Sequence, residues 1–312
     1  MPPPPTDISA ARWTDFLHPR YWMTWCGFGA MRVLSALPLS VIWLLGSALG
    51  ECFYYLHGPR RRIVNRNLES CLPELGRRER VRLAKQNFRA TAQAMLDTGI
   101  AWWASRSRLR RLVHCIGREH YDQALATGRP VILLAPHFIA LDMGGLYLTT
   151  EGRSMISMYK RPKNRLLHVF IAQRRERFGA AKLVESRAGM KQVVRALKRG
   201  EVFYYLPDQN PGRKNTVFVP FFGIPAATLT ALGRLARITD ALVVPCISRQ
   251  RGGGYEVIFK PALEDFPTGD DITDAVRMNE AIEQAVRENP DQYFWMHKRF
   301  RTRPIGEPGF YD

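Results

Sequence analysis

The run "VILLA" at residues 131–135 carries no polar side chain. A stretch of that length needs apolar cover on both faces, and a strand inside a helix-covered sheet supplies it. Similar short apolar runs recur along the chain: "RSMISMY" (153–159), "EVFYYL" (201–206), "ALVVPCIS" (241–248) and "YEVIFKP" (255–261). Between and around them lie segments of helical period. In "RRERVRLAKQNFRATAQAML" (77–96), Val81, Ala84, Phe88, Ala92 and Met95 fall on one face, with charges opposite. "DMGGLYL" reads as the helix after the first run, and "AGMKQVVRALKRG" (188–200) as another, closing on Gly200. "AATLTALGRLARITD" (226–240) is expected to be helical throughout, and "DDITDAVRMNEAIEQAVREN" to turn Ile272, Val276, Ile282 and Val286 inward. Strands alternating with helices predict an α/β fold, a central mixed β-sheet flanked by helices.

The N-terminal part differs. After a proline-rich "MPPPP" start, expected to be extended, Trp13, Tyr21, Trp22 and Trp25 cluster beside Arg12, Arg20 and Arg32. "VLSALPLSVIWLLGSALG" (33–50) then runs without a charge. Its length meets the lower edge of a membrane-spanning helix, about 17–25 residues, and the aromatic lead-in resembles an interfacial belt. A buried core helix is the alternative, because Pro38 and the glycines interrupt the span. The sequence therefore divides into a membrane-associated segment, 1–58, with an N-terminal hydrophobic membrane helix, and a larger domain, 59–312. The Arg-rich larger part is expected on the cytoplasmic face of the membrane.

Charge narrows the partners. The 46 Lys and Arg against 28 Asp and Glu leave a formal charge of +18, which favours acidic partners: nucleic acid, anionic lipid or an acidic carrier protein. No nucleic-acid motif accompanies that charge, and the tryptophans cluster in the apolar segment rather than in a basic groove, so nucleic acid is not the expected partner. The five cysteines, Cys26, Cys52, Cys71, Cys115 and Cys246, are scattered without a CxxC pair. That spacing indicates neither a disulfide framework nor a zinc site.

"VILLAPHFIALDMGG" carries the chemistry. Ligands of open α/β sheets bind beyond the carboxyl ends of the strands. His137 falls two residues past such an end, and Asp142 on the first turns of the next helix. From there Asp142 is expected to accept the imidazole Nδ1 hydrogen bond, leaving Nε2 as a base for an attacking hydroxyl. A capping Asp and a strand-end His that satisfies the backbone is the structural alternative. Two further strand ends add polar groups: Tyr159, Lys160, Arg161 and Lys163 in one, Asp208, Gln209, Arg213 and Lys214 in the other. No GxSxG and no Cys beside a His is present, which favours direct transfer over a covalent acyl-enzyme.

Together "HFIALD", "MYKRPKN", "DQNPGRKNTVFVPFFGIPAAT", "ALVVPCISR" and "YFWMHKRFRTRP" resemble the late acyltransferases of bacterial lipid A biosynthesis, the lauroyl/myristoyl transferase family. The likeness runs in order from the apolar N-terminal segment to about residue 304. The His-x4-Asp/Glu element is shared with the wider glycerolipid acyltransferase group; the "DQ…VFVPFFG" and "WMHKRFRTRP" blocks are more specific. The resemblance implies a glycerolipid-acyltransferase-like fold, with His137 and Asp142 as the dyad, Arg161 in the basic motif and Asp208 with Gln209 in the third. Many members carry Glu at the dyad carboxylate; Asp142 is one methylene shorter. Members move an acyl chain from acyl carrier protein to a hydroxyl of an acyl chain on the lipid A precursor, at the cell inner membrane. No metal or organic cofactor is implied.

The basic balance agrees with this reading, since Arg161, Lys163, Arg213 and Lys214 near the rim suit an acidic carrier and a phosphorylated acceptor. Phe218, Phe221 and Phe222 are candidates to line an acyl groove. The basic residues of "RFRTRP" are expected to hold the C-terminus against the membrane. Rival functions are transfer to another membrane lipid (glycerophospholipid, ornithine lipid or glycolipid) and a basic membrane-attached binding protein.

Overall fold

The computed structural model describes residues 12–186 and 189–312. The proline-rich start lies outside the described residues. Four helices come first: α1 (Trp22–Leu34), α2 (Leu39–Leu56), α3 (Gly58–Cys71) and α4 (Arg77–Trp103). The chain continues through α5 (Arg106–Leu112), β1 (Val113–Ile116), α6 (Arg118–Ala126), β2 (Val131–Leu134) and α7 (Leu141–Thr149). Then follow β3 (Met155–Tyr159), α8 (Arg165–Glu176), β4 (Ala181–Glu185), α9 (Lys191–Lys198) and β5 (Val202–Tyr205). A ribbon of β6 (Thr216–Phe221) and β7 (Ile224–Leu229) precedes α10 (Ala231–Thr239), β8 (Leu242–Arg251), β9 (Gly254–Phe259) and α11 (Asp271–Glu288).

Seven strands form one sheet in the order β1-β9-β8-β2-β5-β3-β4. From β8 to β4 neighbours run parallel; β9 is antiparallel to β8, and β1 parallel to β9. The sheet is thus mixed and covered on both faces, as the apolar runs require. Alternation shows it directly. Val131 and Leu133 belong to one core with Tyr204 and Val257, and Ile132 and Leu134 to the other with Phe203 and Val243. All four residues of β2 are buried, each worth about 1.5–3 kcal/mol in apolar surface removed from water.

Several local expectations shift. Residues 226–229 complete β7 rather than begin a helix; α10 starts at Ala231. Ala226 and Ala227 sit fully buried in the ribbon, where small side chains let β7 lie close to its neighbours. Val81 and Met95 on α4, and Ile272 on α11, face solvent instead of the core. Ala84, Phe88, Ala92, Ile282 and Val286 are buried as expected.

Helix α2 is long and apolar enough to cross a membrane by length and composition. Its inner face packs along α4. A Cβ on Gly46 would come within 2.6 Å of Gln93 Cα, and one on Gly50 within 2.5 Å of Arg89 Cα, so only glycine permits this approach. Trp43 Nε1 donates to Asp97 on α4 at 3.0 Å. The outer face leaves Leu44, Leu45 and Leu56 exposed, as are Trp22, Met23 and Val33 of α1.

Candidate active site

Strand order decides which loops meet. β5 lies between β2 and β3, so the segments after these three parallel strands share one rim. From the end of β2, Pro136 turns the chain and His137 leads into α7. Tyr204 on β5 donates its hydroxyl to the Leu141 carbonyl at 3.2 Å and so supports the start of that helix. Gly144 lets α7 settle on the sheet: a Cβ there would fall 1.9 Å from Ser248 Oγ. A cleft of about 1270 Å³ opens above the rim. His137, Asp142, Tyr159, Lys160, Arg175 and Gln209 are among its polar groups, and residues such as Leu146, Ile171, Leu183 and Val194 form apolar walls.

The partner of His137 is not the one expected. Its Nδ1 lies 2.7 Å from Asp208 Oδ1, and its backbone N–H donates to Asp208 Oδ2 at 2.9 Å. Burial pushes the Asp208 carboxyl up, but the charge of His137 and its hydrogen bonds outweigh that and hold it below the usual value. An ionised carboxylate only accepts, so Nδ1 carries the proton and Nε2 is the ring nitrogen left for chemistry. Asp142 instead accepts from Arg175 Nη2 of α8 at 2.7 Å. The reason is burial: the Asp142 side chain is 53% exposed and that of Asp208 1%. Asp142 nevertheless lines the same cleft as His137.

The remaining expected residues divide. Gln209 lines the cleft beside Asn210. Arg161 leans towards Glu185 of β4, 3.9 Å away, and Lys163 is exposed, so the wall after β3 comes from Tyr159, Lys160 and Pro162. Arg213 and Lys214 are exposed on the loop before β6, outside the cleft lining. Asn164 of the same "KRPKN" segment caps α8, accepting from Leu167 N at 3.2 Å, and its Nδ2 reaches Thr24 of α1 at 2.9 Å. Phe221 and Phe222 are not groove residues; they pack into the core with Tyr293, Trp295 and Phe300. Phe218 is half-buried and likewise absent from the cleft lining.

The C-terminal block does work the sequence does not announce. Residues 292–294 run beside the His137 loop: Ile139 N donates to Gln292 O at 2.8 Å and Phe294 N to His137 O at 3.0 Å. Two buried asparagines hold this segment from behind. Asn87 Nδ2 donates to the carbonyls of Asp291 and Tyr293, and Asn67 Nδ2 to those of Trp295 and His297. His297 Nε2 accepts from Asn210 N at 2.9 Å, fixing the loop that presents Asp208. Burial lowers the His297 imidazole to about 4, so it is neutral near pH 7, as an accepting Nε2 requires. Arg299, expected at the membrane, is buried. Its guanidinium donates to Ala227 O at 2.7 Å and Thr228 Oγ1 at 2.9 Å, pinning the β6–β7 ribbon. Arg303 likewise reaches back to Pro225 O. The signal for these roles was the density of aromatic and polar residues in "YFWMHKRF", but nothing local says which of them turn inward.

A helix-covered sheet with a carboxylate-bound histidine at its carboxyl rim, lining a largely apolar cleft, is an arrangement able to move a proton on a hydrophobic substrate. The chain matches the family model described as bacterial lipid A biosynthesis acyltransferase over residues 10–302. It is 36% identical over 301 residues to the lipid A biosynthesis lauroyltransferase of Escherichia coli (strain K12), covering 96% of this chain and 97% of that protein. It is 35% identical to the lipid A biosynthesis palmitoleoyltransferase of the same strain, covering 95% and 97%. To that strain's lipid A biosynthesis myristoyltransferase it is 32% identical, covering 94% and 91%. The chain belongs to the bacterial lipid A biosynthesis acyltransferase family, and it is an acyltransferase acting on a lipid A precursor.

Proposed function

We propose that this enzyme moves a fatty acyl chain from acyl carrier protein to a hydroxyl of the lipid A precursor, with His137 as general base. Nε2 takes the hydroxyl proton as the oxygen attacks the thioester carbonyl. The tetrahedral intermediate then collapses, the carbon–sulfur bond breaks, and the imidazolium returns its proton to the departing thiolate. Asp208 holds Nδ1–H and stabilises the imidazolium. Asp142, held by Arg175, supplies a second carboxylate in the cleft that favours the same charge through space. General-base assistance of this kind is worth about 10²–10⁴ in rate. The observation that carries the reading is the 2.7 Å Asp208–His137 bond on a ring that lines the cleft.

The acyl carrier donor is supported by the net charge of +18, which suits an acidic protein. The exposed faces of α1 and α2, with Trp22, Met23, Leu44 and Leu56 outward, support seating on the cytoplasmic face of the inner membrane. In this reading Lys163, Arg213 and Lys214 flank the approach of the acidic substrates, with Arg161 and Gln209 nearer the acceptor. The test is acyl transfer by the purified protein in detergent, from labelled acyl carrier protein to the precursor. His137→Ala is expected to lower kcat by about 10² or more at similar KM. Retention of most of the wild-type rate would remove His137 from the chemistry.

A further inference from the structure

Behind the cleft, α8 carries a second group of cations that the mechanism leaves unused. Ile171 and Arg175 face the cleft. Arg174 and Arg177, three residues apart and so on one helix face, lie instead on aromatic rings. The Arg174 guanidinium is 4.8 Å from the centre of Phe170 and 5.8 Å from that of Trp103. Arg177 stands 4.1 Å over Phe178, and Arg106, from the start of α5, stands 5.3 Å from the same ring. Three neighbouring arginines are employed otherwise. Arg175 binds Asp142, Arg108 donates to the carbonyls of Ser35 and Leu37, and Arg110 to that of Thr150. Among the described residues, Arg106, Arg174 and Arg177 have no carboxylate partner. Arg174 Nε, Arg177 Nε and Arg177 Nη2 are buried without any acceptor.

Ring contacts favour a cation but leave its N–H donors unpaired, and buried unpaired donors are costly. Burial and the proximity of Arg174 also bring the Arg177 guanidinium down to about 10, the mark of a site with positive charge and no counter-charge. The floor is aromatic and continues into the Phe28, Trp102 and Phe170 cluster under the apolar N-terminal helices. A free anion would use the donors and leave this floor uncovered. An amphiphile with an anionic head uses both.

We propose that Arg106, Arg174 and Arg177 form a phosphate-binding subsite for a membrane amphiphile whose apolar part lies on the half-buried Phe178 and Trp103. Arginine forks match phosphate oxygens in pairs. Two sources share that chemistry: a phosphate of the acceptor glycolipid, whose acyl end would reach the cleft across α8, and the headgroup of an anionic phospholipid beside the enzyme. The assignment is independent of which residue is the base.

The full-length protein is tested for flotation with phosphatidylcholine vesicles, with and without phosphatidic acid. Arg174→Gln/Arg177→Gln is expected to weaken binding to the phosphatidic acid vesicles about tenfold, the equivalent of losing one charge-assisted pair. Binding to pure phosphatidylcholine should be unchanged. The charge-matched variant Arg77→Gln/Arg78→Gln, on an exposed turn of α4, should behave as wild type in both. Kinetics in neutral detergent separate the sources. An acceptor KM raised about tenfold at constant kcat assigns the site to the acceptor. Unchanged KM with lost vesicle binding assigns it to the phospholipid. If the pair does not fold, the exposed Arg106→Gln decides, with about a threefold loss expected. Wild-type behaviour of the α8 variant in both assays, or an equal loss in the Arg77/Arg78 control, overturns the proposal.

Discussion

The cleft has two walls that hold the same charged group in opposite ways. On the α7–α8 side, Asp142 meets Arg175 in an ion pair whose side chains are 53% and 37% exposed. On the β5 side, Asp208 is buried and receives two hydrogen bonds from His137, with His297, Tyr293 and Arg299 close enough to influence its charge. An exposed pair is screened and contributes about 0–1 kcal/mol. A buried ion is tolerated only while its partners stay in place, and removing one costs about 3–5 kcal/mol. The α7–α8 wall is therefore free to exchange partners when substrate arrives. The β5 wall is preorganised, so in the proposed reaction chemistry and stability are coupled there.

The sharpest way to break this comparison is Asp208→Asn. The amide offers the wrong hydrogen-bonding pattern to Nδ1–H and no charge to the imidazolium, so kcat should fall by about 10²–10⁴. Steady-state kinetics check it; a loss below fivefold would make the buried wall structural only. Asp142→Asn should cost less, about 10- to 10²-fold, because its field reaches the imidazolium across a more solvated space. Equal losses for the two would mean that both walls take part alike.

Stability separates the walls further. Asn87→Leu strands the carbonyls of Asp291 and Tyr293 and should destabilise the protein by about 2–4 kcal/mol, measured by urea unfolding in detergent. Asp142→Asn should stay within about 1 kcal/mol in the same assay. Acid titration tests the buried wall through its pH dependence. His297 is lowered to about 4 from 6.5, so it binds fewer protons folded than unfolded, and its stabilisation is lost as pH falls from 6.5 through 4. His297→Gln, which keeps an acceptor for Asn210, should flatten the melting temperature over that range. Asp97 acts with the opposite sign. Burial raises it from 3.8 to about 6, against hydrogen bonds from Tyr255, Trp43 and Gln250, so it costs stability as pH rises through that window. Asp97→Asn should therefore steepen the acid-side loss that His297 produces.

Continuous apolar runs and helical periods marked β2, β3, β5, β8 and β9 and the helices α2, α4, α7, α9, α10 and α11, because buried central elements have few sequence solutions; α3, α5, α6 and α8 went unmarked. Less legible were β1, with alternating buried and exposed residues, and β4, at the sheet edge with one buried residue in five. Edge strands are short and half-solvated, so they carry no continuous run. The β6–β7 ribbon was hidden because "AAT" has the composition of a helix and reads as a strand only when paired. At the site, His137 and the rim itself followed from position past a strand end. The partner of His137 did not, since Asp142 is near in sequence and Asp208 is near in space.

The sequence by itself determined a helix-covered sheet, a histidine at its carboxyl rim, an apolar N-terminal segment and the family. These depend on local period, composition and motif order, which a chain displays without folding. Only the tertiary structure decided that Asp208 rather than Asp142 binds Nδ1, and that Arg299 and His297 support the site. It alone left Arg174 and Arg177 without counter-charges. Each of these is settled by which polar groups lose their water, and desolvation is a property of the packed molecule.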